Sequence, residues 1–198
     1  MKTLEELNSR DGLYLTDKGS IHGYLKFYDA IFKQFRDREI NIFEAGYQYG
    51  GSCELWKLYF PHAKIKAIDI KKWQPTPDRI DLKLGNEFIE PEGRVSLDII
   101  NINNLPDDYF NSFYPDIAID DGSHLLEDQV AFVKKVYPHL KDGGYLIIED
   151  IQNLEIALPE FNKFGLHIFV VDQREVSKVY DDVFIYFVKP DQFCTKST

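Results

Sequence analysis

The chain has 198 residues, is 44% hydrophobic and carries a formal net charge of −10, so it is long enough for one folded domain with a sizeable core and lacks the cationic surface that nucleic-acid binding needs. No window approaches the roughly 20 apolar residues of a membrane span, and the polar start MKTLEELNSRDG has no signal-peptide core; together these predict a cytoplasmic protein acting on a small or carbohydrate-like molecule. Cys53 and Cys194 stand far apart and form no metal-type pair, which fits a reducing compartment and no catalytic thiol.

No repeat, low-complexity block or linker divides the chain, so residues 1–198 read as one domain. The first strong element is a helix: Tyr24, Phe27, Tyr28, Ile31, Phe32 and Phe35 recur at helical spacing on one apolar face, a natural cover for a sheet. From Glu39 onward, short apolar runs alternate with helical stretches. INIF runs into Glu44, IKAI into Asp69, IAI into Asp120 and Asp121, and YLII into Glu149 and Asp150, with RVSL before Asp98 a weaker fifth. Between the last two strong runs, Leu126, Val130, Val133, Tyr137 and Leu140 keep helical spacing and KDGG supplies a stop. Such alternation predicts a parallel sheet with right-handed crossovers, its ligand crevice beyond the carboxyl ends of the strands. HIFVVD and VFIYFVK are separated by too few residues for a helical crossover, so an antiparallel pair closes the sheet.

The first run leads into EAGYQYGGS, which places Glu44, Gly46, Gly50, Gly51 and Ser52 before a helix predicted from Cys53 to Tyr59. Glycines there let the backbone approach a ligand, and a helix start offers free N–H groups. An ordinary strand-to-helix turn has the same composition, and the spacing is not G-x-G-x-x-G. Asp69, at the end of the next run, is placed for ribose hydroxyls, a role it would have with NAD or with S-adenosylmethionine (SAM); a solvated strand-end acid is the plainer alternative. Glu44 would repel a pyrophosphate but can sit near the cationic end of SAM, which favours SAM.

Neighbouring strands of a parallel sheet lie roughly 4.8 Å apart, so adjacent IAIDD and YLIIED bring Asp121, Glu149 and Asp150 toward one point. Like charges about 5 Å apart repel by roughly 3 kcal/mol at an effective dielectric near 20, and the cluster therefore needs a proton or a cation. Oxygen ligands select Mg²⁺ first and Mn²⁺ second. His124, three residues past Asp121, is placed to accept a hydroxyl proton or, more plainly, to cap the helix that begins near Leu125. Ser123 is expected to N-cap that helix.

Together, TDKGSIHGYLKFYDAIF, FEAGYQYGGSCELWKLYFPHAKIKAIDI, IDDGSH and GGYLIIEDI resemble the class I SAM-dependent O-methyltransferases that act on macrolide-linked sugars, a family related to the cephalosporin-hydroxylase-like proteins, from about Gly12 to Ile151. The resemblance implies an α/β fold: a Rossmann-like three-layer sandwich with a mostly parallel seven-stranded sheet and an antiparallel last strand. It implies SAM as methyl donor, Mg²⁺ on Asp121, Glu149 and Asp150, and His124 as base beside Asp121. On the SAM side it implies Glu44, Gly46, Ser52 and Asp69, with Asp120 and, near the adenine, Asp98. TDKG and HGY add Asp17, Lys18, His22 and Tyr24 as a lid or an anchor for the SAM carboxylate, within an N-terminal helical cap of residues 1–38; a surface loop before a helix is the alternative. The chain departs from the family in GNEFIEPEGRVSLDI, where a GDQ-like stretch is usual, and in having no extra N-terminal domain of the kind some of these enzymes carry.

The expectation is a divalent-metal-dependent O-methyltransferase acting on a hydroxyl of a sugar-type small molecule, with no nucleic-acid or membrane partner and with apolar surface that could support a homodimer. The rivals are a non-catalytic SAM- or nucleotide-binding module and a nicotinamide oxidoreductase. Glu44 and the missing third glycine count against the second.

Overall fold

The computed structural model describes residues 1–10, 13–73 and 93–191; Cys194 and residues 85–92, the start of the divergent GNEFIEPEG stretch, lie outside them. A small antiparallel hairpin, β1 (Ser9–Arg10) and β2 (Leu13–Tyr14), follows a first short helix, α1 (Leu4–Asn8). The main sheet contains β3 (Asn41–Ala45), β4 (Lys64–Asp69), β5 (Val95–Ile99), β6 (Ile117–Asp120), β7 (Tyr145–Ile148), β8 (Phe169–Asp172) and β9 (Val183–Val188) in the order β5-β4-β3-β6-β7-β9-β8. Every neighbouring pair is parallel except those that β9 makes with β7 and β8. The antiparallel closure read from the short HIFVVD–VFIYFVK connection is therefore present. The strand order reverses between β3 and β6, which opens a crevice beyond their carboxyl ends.

The central strands β3, β6 and β7 are buried on both faces because both are covered. One face meets α1, α2 (Tyr24–Phe32) and α3 (Gly51–Tyr59), with Tyr28, Phe32 and Trp56 against Ile42, Ile119 and Ile147. The other meets α4 (Leu126–Val136) and α5 (Leu154–Asn162), with Phe132 and Phe161 among residues packed with Phe43, Ala118 and Ile148. The alternation is strict: Ile42 faces one layer and Phe43 the other, as the two-residue period of a strand requires. The predicted apolar helix is α2 continued by a 3₁₀ turn, Lys33–Phe35, and it buries Tyr24, Tyr28, Phe32 and Phe35.

Between β2 and α2 the chain crosses the start of α3. The Asn8 side chain holds this segment from both sides, donating to the Thr16 carbonyl and accepting from the Thr16 N–H, each at 3.0 Å. A Cβ added at Gly51 would lie 1.8 Å from the Leu15 carbonyl oxygen, so the second glycine of GGS is needed for this crossing. Gly51→Ala should displace the segment and cost about 1–3 kcal/mol of stability, the range for a side chain forced into a filled space. Urea denaturation measures it, and an unchanged midpoint would contradict so close a crossing.

Candidate active site

Strand parity sorts the acids at the carboxyl rim. Ile42 and Glu44 share a face of β3, Ile117 and Ile119 point the same way on β6 ahead of Asp121, and Ile147 does so on β7 ahead of Glu149. Glu44, Asp121 and Glu149 thereby face the N-terminal layer, and the ammonium of Lys18 sits among them. It contacts Asp121 and Glu149 directly and lies 3.7 Å from Glu44. Lys18 comes from a 3₁₀ turn, Asp17–Gly19, capped by Thr16, and its side chain is 1% exposed. Burial opposes its charge, but the three carboxylates outweigh burial and hold it well above the ordinary lysine pKa.

Both oxygens of Glu149 have partners. Its second oxygen accepts from the Tyr28 hydroxyl at 2.5 Å, and burial pushes its carboxyl well above the usual range despite Lys18. Glu44 accepts from the Ser52 hydroxyl at 2.9 Å and the Trp56 indole at 3.1 Å, with its carboxyl raised by burial.

Asp121, His124 and Asp150 meet on the open side. His124 Nε2 lies 3.3 Å from Asp121 Oδ1 and 3.2 Å from Asp150 Oδ2, and one ligand atom from each of the three residues falls within 4.8 Å of the others. The hydrogen bond to Asp121 raises the His124 pKa against the opposing effect of burial. Burial pulls the Asp121 carboxyl up, but Lys18 and His124 win and hold it below the usual range. Tyr24 donates to Asp150 Oδ1 at 2.7 Å and fixes that carboxylate from behind. His124 and Asp150 both have left-handed backbones, φ 58° and 53°, which cost of order 1–3 kcal/mol each and persist where the surroundings enforce them. Two carboxylates at this separation, with an imidazole beside them, fit a small divalent cation, whereas Glu149, the expected third acid, contacts Lys18 and Tyr28.

A cavity of about 550 Å³ runs from Asp69, Ile70 and Trp73 past Asn101 and Asp120 to His124, Asp150, His22 and Asp181. A smaller one of about 160 Å³ lies under Leu15–Ser20 and shares Asp17, Gly46, Gln48 and Asp121 with it. Gly46 has φ +96°, and a Cβ there would stand 1.8 Å from the Asp121 carbonyl oxygen; the glycine serves the close approach of the DDGSH loop. Asp69 accepts from the Gln48 N–H at 2.8 Å and the Trp73 indole at 3.0 Å. Asp120 Oδ2 is buried on the cavity wall without a hydrogen-bond partner among the described residues, and burial together with the Asp121 charge pushes its pKa up to about 7. An orphaned acceptor there and a carboxylate at Asp69 suit a polar nucleoside-type ligand.

Several expected positions differ. Asp98 faces away from the cavity and accepts from the Tyr109 hydroxyl at 2.7 Å; Asn101, after β5, stands on the wall instead. Lys18, Tyr24 and Glu44 line neither cavity. Ser123 does not N-cap α4: the cap position is Leu125, with no side-chain cap bond, and Ser123 accepts from the Leu125 N–H at 3.3 Å while donating to Asp128 at 2.5 Å. Asp17 and His22 of the N-terminal segment stand on the wall of the larger cavity, as does Trp73, which carried no motif and was not legible.

No family model matches the chain. In sequence it is similar to the demethylmacrocin O-methyltransferase of Streptomyces fradiae, 33% identical over 158 residues that make up 75% of this chain and 36% of that protein. The mycinamicin VI 2''-O-methyltransferase of Micromonospora griseorubida is 30% identical over the same shares of the two chains. This chain thus spans about a third of the length of the curated relatives it matches. Among solved structures, the MycE methyltransferase of the mycinamycin biosynthetic pathway, in complex with Mg and SAH, shares the fold with a TM-score of 0.67 at 21% identity, over 100% of this chain and 57% of that one. No helix among the described residues is long and apolar enough to cross a membrane.

Proposed function

We propose that this chain, a relative of the macrolide-sugar O-methyltransferases over 75% of its length, transfers a methyl group from SAM to a hydroxyl of a sugar or sugar-containing small molecule. The observation that carries the reading is the His124 imidazole between Asp121 and Asp150, at the end of a cavity that begins at Asp69. Asp69, Asp120, Gly46 and Ser52 would hold the donor. Asp121 and Asp150 would hold Mg²⁺, or Mn²⁺ in its place, with Glu149 behind Asp121. A bound ion of this kind lowers the pKa of the acceptor hydroxyls and orients them, and bound SAM supplies an electrophilic methyl.

The chain's own part is proton transfer and positioning. His124 takes the hydroxyl proton, as an imidazole placed at the acid pair can do. Asp150, held by Tyr24, fixes the imidazole from the second side. The crossing segment around Asp17 covers the small cavity and excludes water, as part of a cap spanning residues 1–38 of a single domain. A buried free Cys53 thiol fits a cytoplasmic setting, the net charge of −10 fits no nucleic-acid partner, and the exposed apolar residues of β8, Phe169 and Val170, could support a homodimer.

Calorimetric titration of S-adenosylhomocysteine (SAH) into the protein, in Mg²⁺ and again in EDTA, tests the donor site. Binding of similar strength in both buffers is expected, because the donor residues and the acid pair are separate. No binding in either would remove the methyltransferase reading.

A further inference from the structure

Lysine is rarely found fully buried, and Lys18 is the one lysine among the buried polar residues described. An ammonium withdrawn from water costs several kcal/mol unless carboxylates meet it with good geometry. Here the partners come from two separate strands, Asp121 after β6 and Glu149 after β7, with Glu44 of β3 behind them. The turn that delivers the ammonium is itself clamped: Thr16 is held by Asn8, and Leu15 lies against Gly51. Lys18 Nζ takes Asp121 Oδ2, while Asp121 Oδ1 faces His124.

We propose that Lys18 is the built-in counter-cation of the site. It neutralises Glu149 and the inner oxygen of Asp121, leaves the outer oxygen of Asp121 and Asp150 for a divalent ion, and ties the charge balance of that site to docking of the N-terminal segment. Lys18 is on this account a positioning residue. The proposal rests on the reading above for the presence of the ion, yet its test needs neither SAM nor acceptor. Without the ammonium, Asp121 and Glu149 are left with uncompensated negative charge that a divalent ion can neutralise by recruiting Glu149.

Thermal melting of the wild type and of Lys18→Met, each in EDTA and in Mg²⁺, reads this coupling. Lys18→Met should melt roughly 10 °C lower than the wild type in EDTA, the scale of a broken buried ion pair in a chain of this size. Mg²⁺ should return at least half of that loss and shift the wild type by much less. A variant that melts with the wild type in EDTA, or that gains no more from Mg²⁺ than the wild type does, overturns the proposal. If Lys18→Met folds in neither buffer, Lys18→Met combined with Glu149→Gln decides: recovery of a cooperative melt supports the proposal, and its absence overturns it. SAH affinity is measured separately, so failure of the methyltransferase reading and failure of the Lys18 assignment appear in different experiments.

Discussion

His124→Ala should lower methyl transfer by between about 100- and 10,000-fold, the span of a lost general base, while SAH affinity stays within about threefold, well under the tenfold that 1.4 kcal/mol represents. The separation follows from the geometry. The imidazole lies between Asp121 and Asp150, beyond β6 and β7, whereas Asp69 and Trp73 line the same cavity beyond β4, on the other side of β3. His124 also makes no bond that closes the start of α4, so its removal does not uncap a helix. The variant is measured by single-turnover methyl transfer and by SAH calorimetry. Loss of both activities together would mean that His124 shapes the donor pocket; retention of both would return it to an ordinary loop residue. His124→Gln, which keeps a polar side chain of similar reach without a basic nitrogen, should be as inactive as the alanine variant if proton transfer is the lost function.

Much of the fold was legible because the strands are short apolar runs and the crossovers have helical spacing. The antiparallel β8–β9 pair follows from chain length alone, since ten residues cannot build a crossover helix. The rim was harder because acids adjacent in sequence point to opposite layers. Parity does put Asp121 and Glu149 on one face, where both meet Lys18, since Ile42–Glu44, Ile119–Asp121 and Ile147–Glu149 are each spaced by two. Counting parity assigns Glu149 to the α2 layer, where Tyr28 and Lys18 meet it. What parity does not supply is the left-handed turn at Asp150, which swings that carboxylate toward His124. Nor does local sequence show that a lysine near the N-terminus crosses to carboxylates more than 100 positions away, a tertiary contact with no periodic signature. Asp98 failed for a similar reason: it sits inside β5 with its side chain toward Tyr109, so proximity to the strand end did not place it on the cavity.

Asp121→Ala should be the most damaging single change at the site, because one carboxylate serves three neighbours. Its Oδ1 faces His124, its Oδ2 meets Lys18, and its side chain is one of the group suited to a divalent ion. Turnover should fall by at least about 1,000-fold, combining a misplaced base with the loss of a charge-stabilising centre, and the residual rate should no longer respond to Mg²⁺. Stability should fall too, but by about 1–3 kcal/mol, less than the 3–5 kcal/mol typical when a buried pair loses one partner. Two features reduce it: Glu149 still holds the ammonium, and the Asp121 side chain is 23% exposed. Turnover across a Mg²⁺ series and urea denaturation of the same preparation distinguish the effects. A destabilised variant with full Mg²⁺-dependent turnover would leave Asp121 a partner of Lys18 only. Wild-type turnover indifferent to EDTA would take the divalent ion out of the reaction altogether, and Asp121 and Asp150 would then act solely by orienting His124.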